Sequence, residues 1–67
     1  MAQTQVGTTI ASLRSVRELT QAKLAKAAGI DRSHLAKIEI GQVSPGLPTL
    51  AKIAKALRVK PSQLIRG

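Results

Sequence analysis

Thr20–Glu39, TQAKLAKAAGIDRSHLAKIE, is the stretch whose reading decides the rest of this chain. It holds two short runs of helical apolar spacing separated by a turn at Gly29. Thr20 and Asp31 stand where the two helix N-caps belong. In the first run Leu24, Ala25 and Ala28 share one face, and Lys23 and Lys26 point away. In the second, Leu35 and Ile38 fall on one side, opposite Arg32, Ser33, Ala36 and Lys37. Ala25 is small where the two helices must approach closely. Gly29 suits a chain leaving its helix with positive φ, and Ile30 follows it as an apolar plug. Two helices crossing through a short glycine turn, with one polar and basic outer face, make a helix-turn-helix.

Charge points the same way. Eleven Lys and Arg face three acids, Glu18, Asp31 and Glu39, for a formal charge of +8. Such an excess on a small domain implies a polyanionic partner rather than a basic but inert surface. The chain has no Phe, Tyr or Trp. Bases therefore have no aromatic platform to stack on, which argues against single-strand and most RNA-binding modules and leaves duplex DNA. With no cysteine, disulfides and thiolate metal sites are excluded. The opening MAQTQVGTTIAS has neither the charged n-region nor the long apolar run of a signal peptide. No stretch approaches the ~18 apolar residues that span a bilayer. A cytoplasmic, bacterial or phage-encoded protein is expected.

Sixty-seven residues make one domain, close to the size at which a chain needs staples to fold. Residues 1–5 are polar and small and are expected to be a flexible N-terminus, with the domain proper at 6–66. Val6, Ile10 and Leu13 predict a first helix from about Val6 to Arg17, its start weakened by Gly7. Leu19 is placed to pack on Leu24 as a hydrophobic staple. IGQVSPGLP reads as a loop. A fourth helix over 47–57 is expected to bury Leu47, Leu50, Ile53, Ala54 and Leu57, with Pro48 in its first turn and Lys52 and Lys55 outward. Pro61 opens a last short helix carrying Leu64 and Ile65. The expected fold class is all-α, five helices around an aliphatic core.

The run LTQAKLAKAAGI, then IEIGQVSP, then LAKIAKALRV with a later leucine, resembles the Cro/C1-type (Xre-like) helix-turn-helix family. Phage repressors and Cro proteins, restriction–modification controllers and antitoxins belong to that family. The match covers roughly residues 6–65 and implies a lambda-repressor-like bundle. Two residues depart from the family pattern: Glu18 stands where glycine is common, and Lys23 where the first turn of helix 2 often carries Glu. The resemblance implies that Arg32, Ser33, Ala36 and Lys37 read bases. An α-helix fits the major groove, Arg and Lys donate to guanine, and an Ala methyl meets the thymine methyl. It places Gln21, Gln42, Val43 and Ser44 on the DNA backbone, the loop residues largely through their N–H groups; beside them Lys23 is expected to assist by long-range attraction and His34, on the flank of the second helix, to brush a phosphate. Arg14 and Glu39 match a structural ion pair, and Arg58, Val59, Leu64 and Ile65 a dimerisation surface.

His34 is the only histidine and has no cysteine or carboxylate cluster to share a metal or a proton with. No catalytic triad or phosphate-cradling loop is visible, so neither an enzyme nor a cofactor is expected. The reading is a sequence-specific duplex-DNA-binding regulator, a repressor by resemblance, reading a palindromic operator as a homodimer that is weak off DNA. The chain ends soon after its fifth helix, so no separate dimerisation domain is expected. An antitoxin that neutralises a toxin partner is the alternative, and an adjacent toxin gene would distinguish it. A cationic membrane peptide is disfavoured, because the basic residues are scattered over several short helices.

Overall fold

Where the apolar spacing recurs, the chain is helical. The structure is a computed structural model describing the backbone of residues 2–66 and the side chains of 6–65. It consists of α1 (Ala2–Val16), α2 (Gln21–Ala28), α3 (Arg32–Glu39), α4 (Leu47–Leu57) and α5 (Pro61–Arg66), and no strand occurs among the described residues. α1 begins at Ala2 rather than near Val6. Nothing in Ala2-Gln3-Thr4-Gln5 breaks a helix, so the backbone continues past the apolar stripe. The side chains of residues 1–5, where a flexible segment is expected, lie outside the described residues.

α1 to α4 all stop in the same way. A residue in the left-handed region follows each helix: Glu18 (φ 56°), Gly29 (φ 73°), Gly41 (φ 79°) and Arg58 (φ 60°). Its N–H and that of the next residue then turn back onto the last carbonyls. Glu18 N donates to Ser15 O and Leu19 N to Arg14 O, both at 2.9 Å. Gly29 and Ile30 bond Lys26 O and Ala25 O, at 3.2 and 2.9 Å. Gly41 and Gln42 bond Ile38 O and Lys37 O, at 3.1 and 2.9 Å. Arg58 and Val59 bond Lys55 O and Ala54 O, at 3.1 and 3.0 Å. These are Schellman motifs, which satisfy carbonyls that a helix end otherwise leaves orphaned. Leu19, Ile30 and Val59, the residues just past three of the turns, pack against the core. Glu18 therefore keeps the shape that glycine would give and bears the strain of a side chain in that region.

Thr20 caps α2, its Oγ1 accepting from Lys23 N at 3.1 Å. Asp31 holds the N-cap position of α3 with an extended backbone, but its side chain makes no cap hydrogen bond. It acts there only as a negative charge near the helix N-terminus.

Eleven residues form the core: Ile10, Leu24, Ala25, Ala28, Leu35, Ile38, Leu50, Ile53, Ala54, Leu57 and Leu64. The principal helix contacts close a ring, α1–α3–α2–α4–α5 and back to α1. Leu47 is not part of this core and stays 76% exposed. It is the first residue of α4, and the buried stripe of that helix begins a turn later, at Leu50. Leu64, expected at a dimer surface, is 0% exposed. α5 packs on α1 and α4, and this leucine closes the monomer's own core.

Gly7 is buried where α1 crosses the end of α3. A Cβ there would overlap the Ile38 carbonyl oxygen and stand 2.6 Å from that of Glu39. Both obstacles are backbone, so neither swings aside. Inside an ordinary helix Gly→Ala gains about 1 kcal/mol. Here overpacking outweighs that gain, and Gly7→Ala is expected to lose ~1–3 kcal/mol in urea unfolding. Glu18→Gly should act oppositely, gaining up to about 1 kcal/mol by relieving the left-handed residue. A Gly7→Ala variant as stable as the wild type would show that the crossing is looser than described.

Candidate nucleic-acid interface

The recognition surface starts from a buried carboxylate. Glu39, at the last turn of α3, has a side chain only 5% exposed, against 21% for its partner Arg14 on α1. Arg14 Nε donates to Glu39 Oε2 at 2.8 Å and Arg14 Nη2 to Glu39 Oε1 at 3.1 Å, a two-pronged pair. Arg14 Nη1 reaches the Leu19 carbonyl at 2.9 Å, in the turn between α1 and α2. Gln21, first in α2, donates its amide Nε2 to Glu39 Oε1 at 3.0 Å. One carboxylate thus joins α1, the start of α2 and the end of α3. An acid this deeply placed needs its charge partner and its remaining lone pairs filled. Arg14 and Gln21 together do both.

From that anchor the free face of α3 projects outward. Leu35 and Ile38 are fully buried. At about 100° per residue the opposite arc centres on Ser33 and Lys37, with Ala36 and Arg32 beside them. Arg32, Ser33, His34 and Lys37 are exposed and Ala36 is half-buried. Lys23 on α2 is exposed as well, while Gln21 is half-buried in the Glu39 network. His34 lies on the flank of the arc. Among the described residues no group of His, Asp or Glu could hold a metal ion.

The loop after α3 departs from expectation. Gln42 N is spent on Lys37 O at 2.9 Å, and Val43 N points at the same carbonyl at 3.4 Å. The Schellman turn at Gly41 takes both donors, so neither N–H is free for a phosphate. Val43 also packs its side chain on the core. Gln42 and Ser44 are left exposed beside it. Two contributions were not foreseen, the Gln21 bond to Glu39 and the Gly7 crossing. For the first a signal existed: an arginine fork leaves lone pairs of a buried carboxylate unfilled, and Gln21 is the nearest polar amide one helix away.

A short glycine-linked helix pair with a basic outer helix defines a helix-turn-helix protein. A helix-turn-helix family model matches residues 10–64, and the chain belongs to that family, of Cro/C1 type. It is 42% identical over 60 residues to the immunity repressor protein of Bacillus phage phi105, covering 90% of this chain. The chain spans only 42% of that repressor's length. Its fold superposes with a TM-score of 0.90 on the restriction–modification controller protein C.AhdI of Aeromonas hydrophila, at 34% identity, over 92% of this chain and 94% of that one. An HTH_3 family transcriptional regulator from Vibrio cholerae matches with a TM-score of 0.89 and 31% identity, over 96% of this chain and 36% of its own.

The anchor makes a sharp expectation. Arg14→Ala leaves Glu39 buried without its counter-charge and should lose ~3–5 kcal/mol of stability, far more than a surface ion pair. Arg14→Met combined with Glu39→Leu removes both charges and should recover most of that loss. Chemical unfolding of the two variants measures the difference, and equal losses would contradict the buried-charge account.

Proposed function

We propose that the chain is a sequence-specific regulator that binds duplex DNA, represses transcription, and reads the major groove with α3. The observation that carries this reading is the outer arc of α3. Arg32, Ser33 and Lys37 are exposed there without internal partners, on a helix whose other side is clamped by Leu35, Ile38 and Glu39. Arg32 and Lys37 would donate to guanine O6 and N7, Ser33 to either base edge, and Ala36 would meet a thymine methyl. Two relatives named above as an immunity repressor and a controller protein support the same use.

Phosphates would set the register. The first N–H groups of α2, at Gln21 and Ala22, have no intrahelical acceptor, and a helix N-terminus favours an anion. The Glu39 bond holds Gln21 at that end of α2. Lys23 and His34 flank the groove-facing arc, and Gln42 and Ser44 offer side chains, with the Ser44 N–H, from the loop. No observation favours the toxin-neutralising alternative.

A single eight-residue helix reads few base pairs, and two half-sites are needed for useful specificity. The second copy would meet the surface at Arg58, Val59 and Ile65. Ile65 is 51% exposed on α5, and Val59 lines a cleft with Leu13, Thr8, Ser12 and Gln63. So small a patch gives a weak dimer that adjacent half-sites complete.

Arg32→Ala and Lys37→Ala should each lose ~1–3 kcal/mol and relax preference at particular base pairs. Lys23→Gln should weaken all sequences alike and lower the salt slope by about 1. Selection of bound sequences from a random duplex pool, repeated for each variant, is the test; identical consensus sequences for wild type and Arg32→Ala would refute base reading. Ile65→Glu should abolish cooperativity on a two-half-site duplex while leaving single half-site affinity intact. Sedimentation of protein with that duplex reads the stoichiometry, and unchanged cooperative loading would remove the α5 interface.

A further inference from the structure

From residue 40 to the C-terminus the chain contains no acid at all, yet it carries Lys52, Lys55, Arg58, Lys60 and Arg66. Lys52, Lys55, Arg58 and Lys60 are all exposed, and no side chain of the four takes part in a hydrogen bond or ion pair. Lys52 and Lys55 lie opposite the buried stripe of α4, formed by Leu50, Ile53, Ala54 and Leu57. Arg58 and Lys60 extend this surface through the turn into α5. In the ring of helices α3 packs on α1 and α2, whereas α4 packs on α2 and α5. The basic face of α4 is thus carried by a different helix from the reading arc of α3, with α2 between the two in the ring.

Two plainer explanations fall short. Lys55 and Arg58 sit at the C-terminal end of α4, where cations favour the helix dipole, but Lys52 is a turn earlier and Lys60 is beyond the helix. Nor are these residues distant helpers of the reading face. Charges at physiological salt are screened beyond about 8 Å, so a lysine on α4 acts chiefly on phosphates held beside α4 itself. An ordinary solvated helix face mixes both signs of charge, and this one carries a single sign.

We infer that the α4 face, with Lys52 and Lys55 at its centre, is a second, sequence-independent site for the phosphate backbone of duplex DNA, so that one molecule holds two duplex segments at once. The partner is a polyanion of uniform charge. A protein partner would need an apolar or aromatic anchor; of the exposed large hydrophobic residues only Leu47 belongs to α4, and it falls on the Leu50 and Ala54 side of the helix rather than beside Lys52 and Lys55. A membrane surface would need an outward apolar face, but that of α4 is consumed in the core. The charge argument stands on α4 itself; that a first duplex is held elsewhere on the molecule rests on the reading of α3 proposed above.

The test is capture of a labelled random duplex by wild-type protein saturating an operator duplex tethered to beads. Lys52→Gln with Lys55→Gln avoids Arg58, which the proposed dimer surface uses. That double variant should bind the tethered duplex as the wild type does and capture about tenfold less of the second, the difference shrinking at higher salt. Arg17→Glu removes the same two units of charge elsewhere and should capture normally. Failure of the wild type to capture, equal capture by the double variant, or capture of anionic vesicles or an acidic polypeptide in place of duplex overturns the inference. Binding that survives Arg32→Ala with Lys37→Ala but is lost in the double α4 variant would instead sink the reading of α3 and leave the α4 site standing.

Discussion

An eight-residue helix does not hold itself together in water, and α3, of that length, is held by what happens at its last turn. There the Glu39 carboxylate takes three hydrogen bonds, from Arg14 and Gln21, in a pocket that leaves its side chain 5% exposed. The same turn meets α1 backbone to backbone at Gly7. These contacts fix the axial position and the tilt of α3 against α1, while Leu35 and Ile38 fix its rotation. Rotation decides which side chains of α3 face outward, and tilt decides how far they project. Both are set from behind the exposed arc.

The division of labour explains what could be read from the chain and what could not. α2, α3 and α4 are legible because each buries a stripe of period 3.6 and stops at Gly29, at Gly41 or short of Pro61, and α5 because Pro61 opens it. Exposure of the α3 arc followed from the same wheel. Leu47 was misread because a wheel records angle and not length. It has the correct angle, but as the first residue of α4 it stays exposed, a turn before the buried stripe begins at Leu50. Gly7 was read as a weak helix start because its value is tertiary, created by a chain segment more than thirty residues away. Two of the loop N–H groups, of Gln42 and Val43, are spent inside the turn for a related reason. Gly41 signals a turn, but which donors that turn consumes depends on its geometry, and here Gln42 N is consumed.

Glu18 shows how a family departure is absorbed. Its backbone follows the path glycine would take, at φ 56°, because the bonds from Glu18 N and Leu19 N and the Arg14 contact to the Leu19 carbonyl all demand that path. Local preference costs about 1–2 kcal/mol at such a position. Tertiary and capping interactions together exceed it. The turn that delivers Gln21 to Glu39 is thus preserved without the residue that would form it most easily.

The placement of the three acids completes the physical logic. Glu39 points inward, with both oxygens occupied. Glu18 lies in the turn after α1. Asp31 is at the N-cap position of α3, where a negative charge favours the helix dipole. No acid follows Glu39 in the chain, so the whole C-terminal half repels itself and any copy of itself. Self-repulsion of this kind lowers the stability of a compact domain unless an anion relieves it. It also opposes dimer formation in solution, since Arg58 flanks the apolar patch at Val59 and Ile65. A polyanion lying against that half would relieve the repulsion by neutralising the lysines.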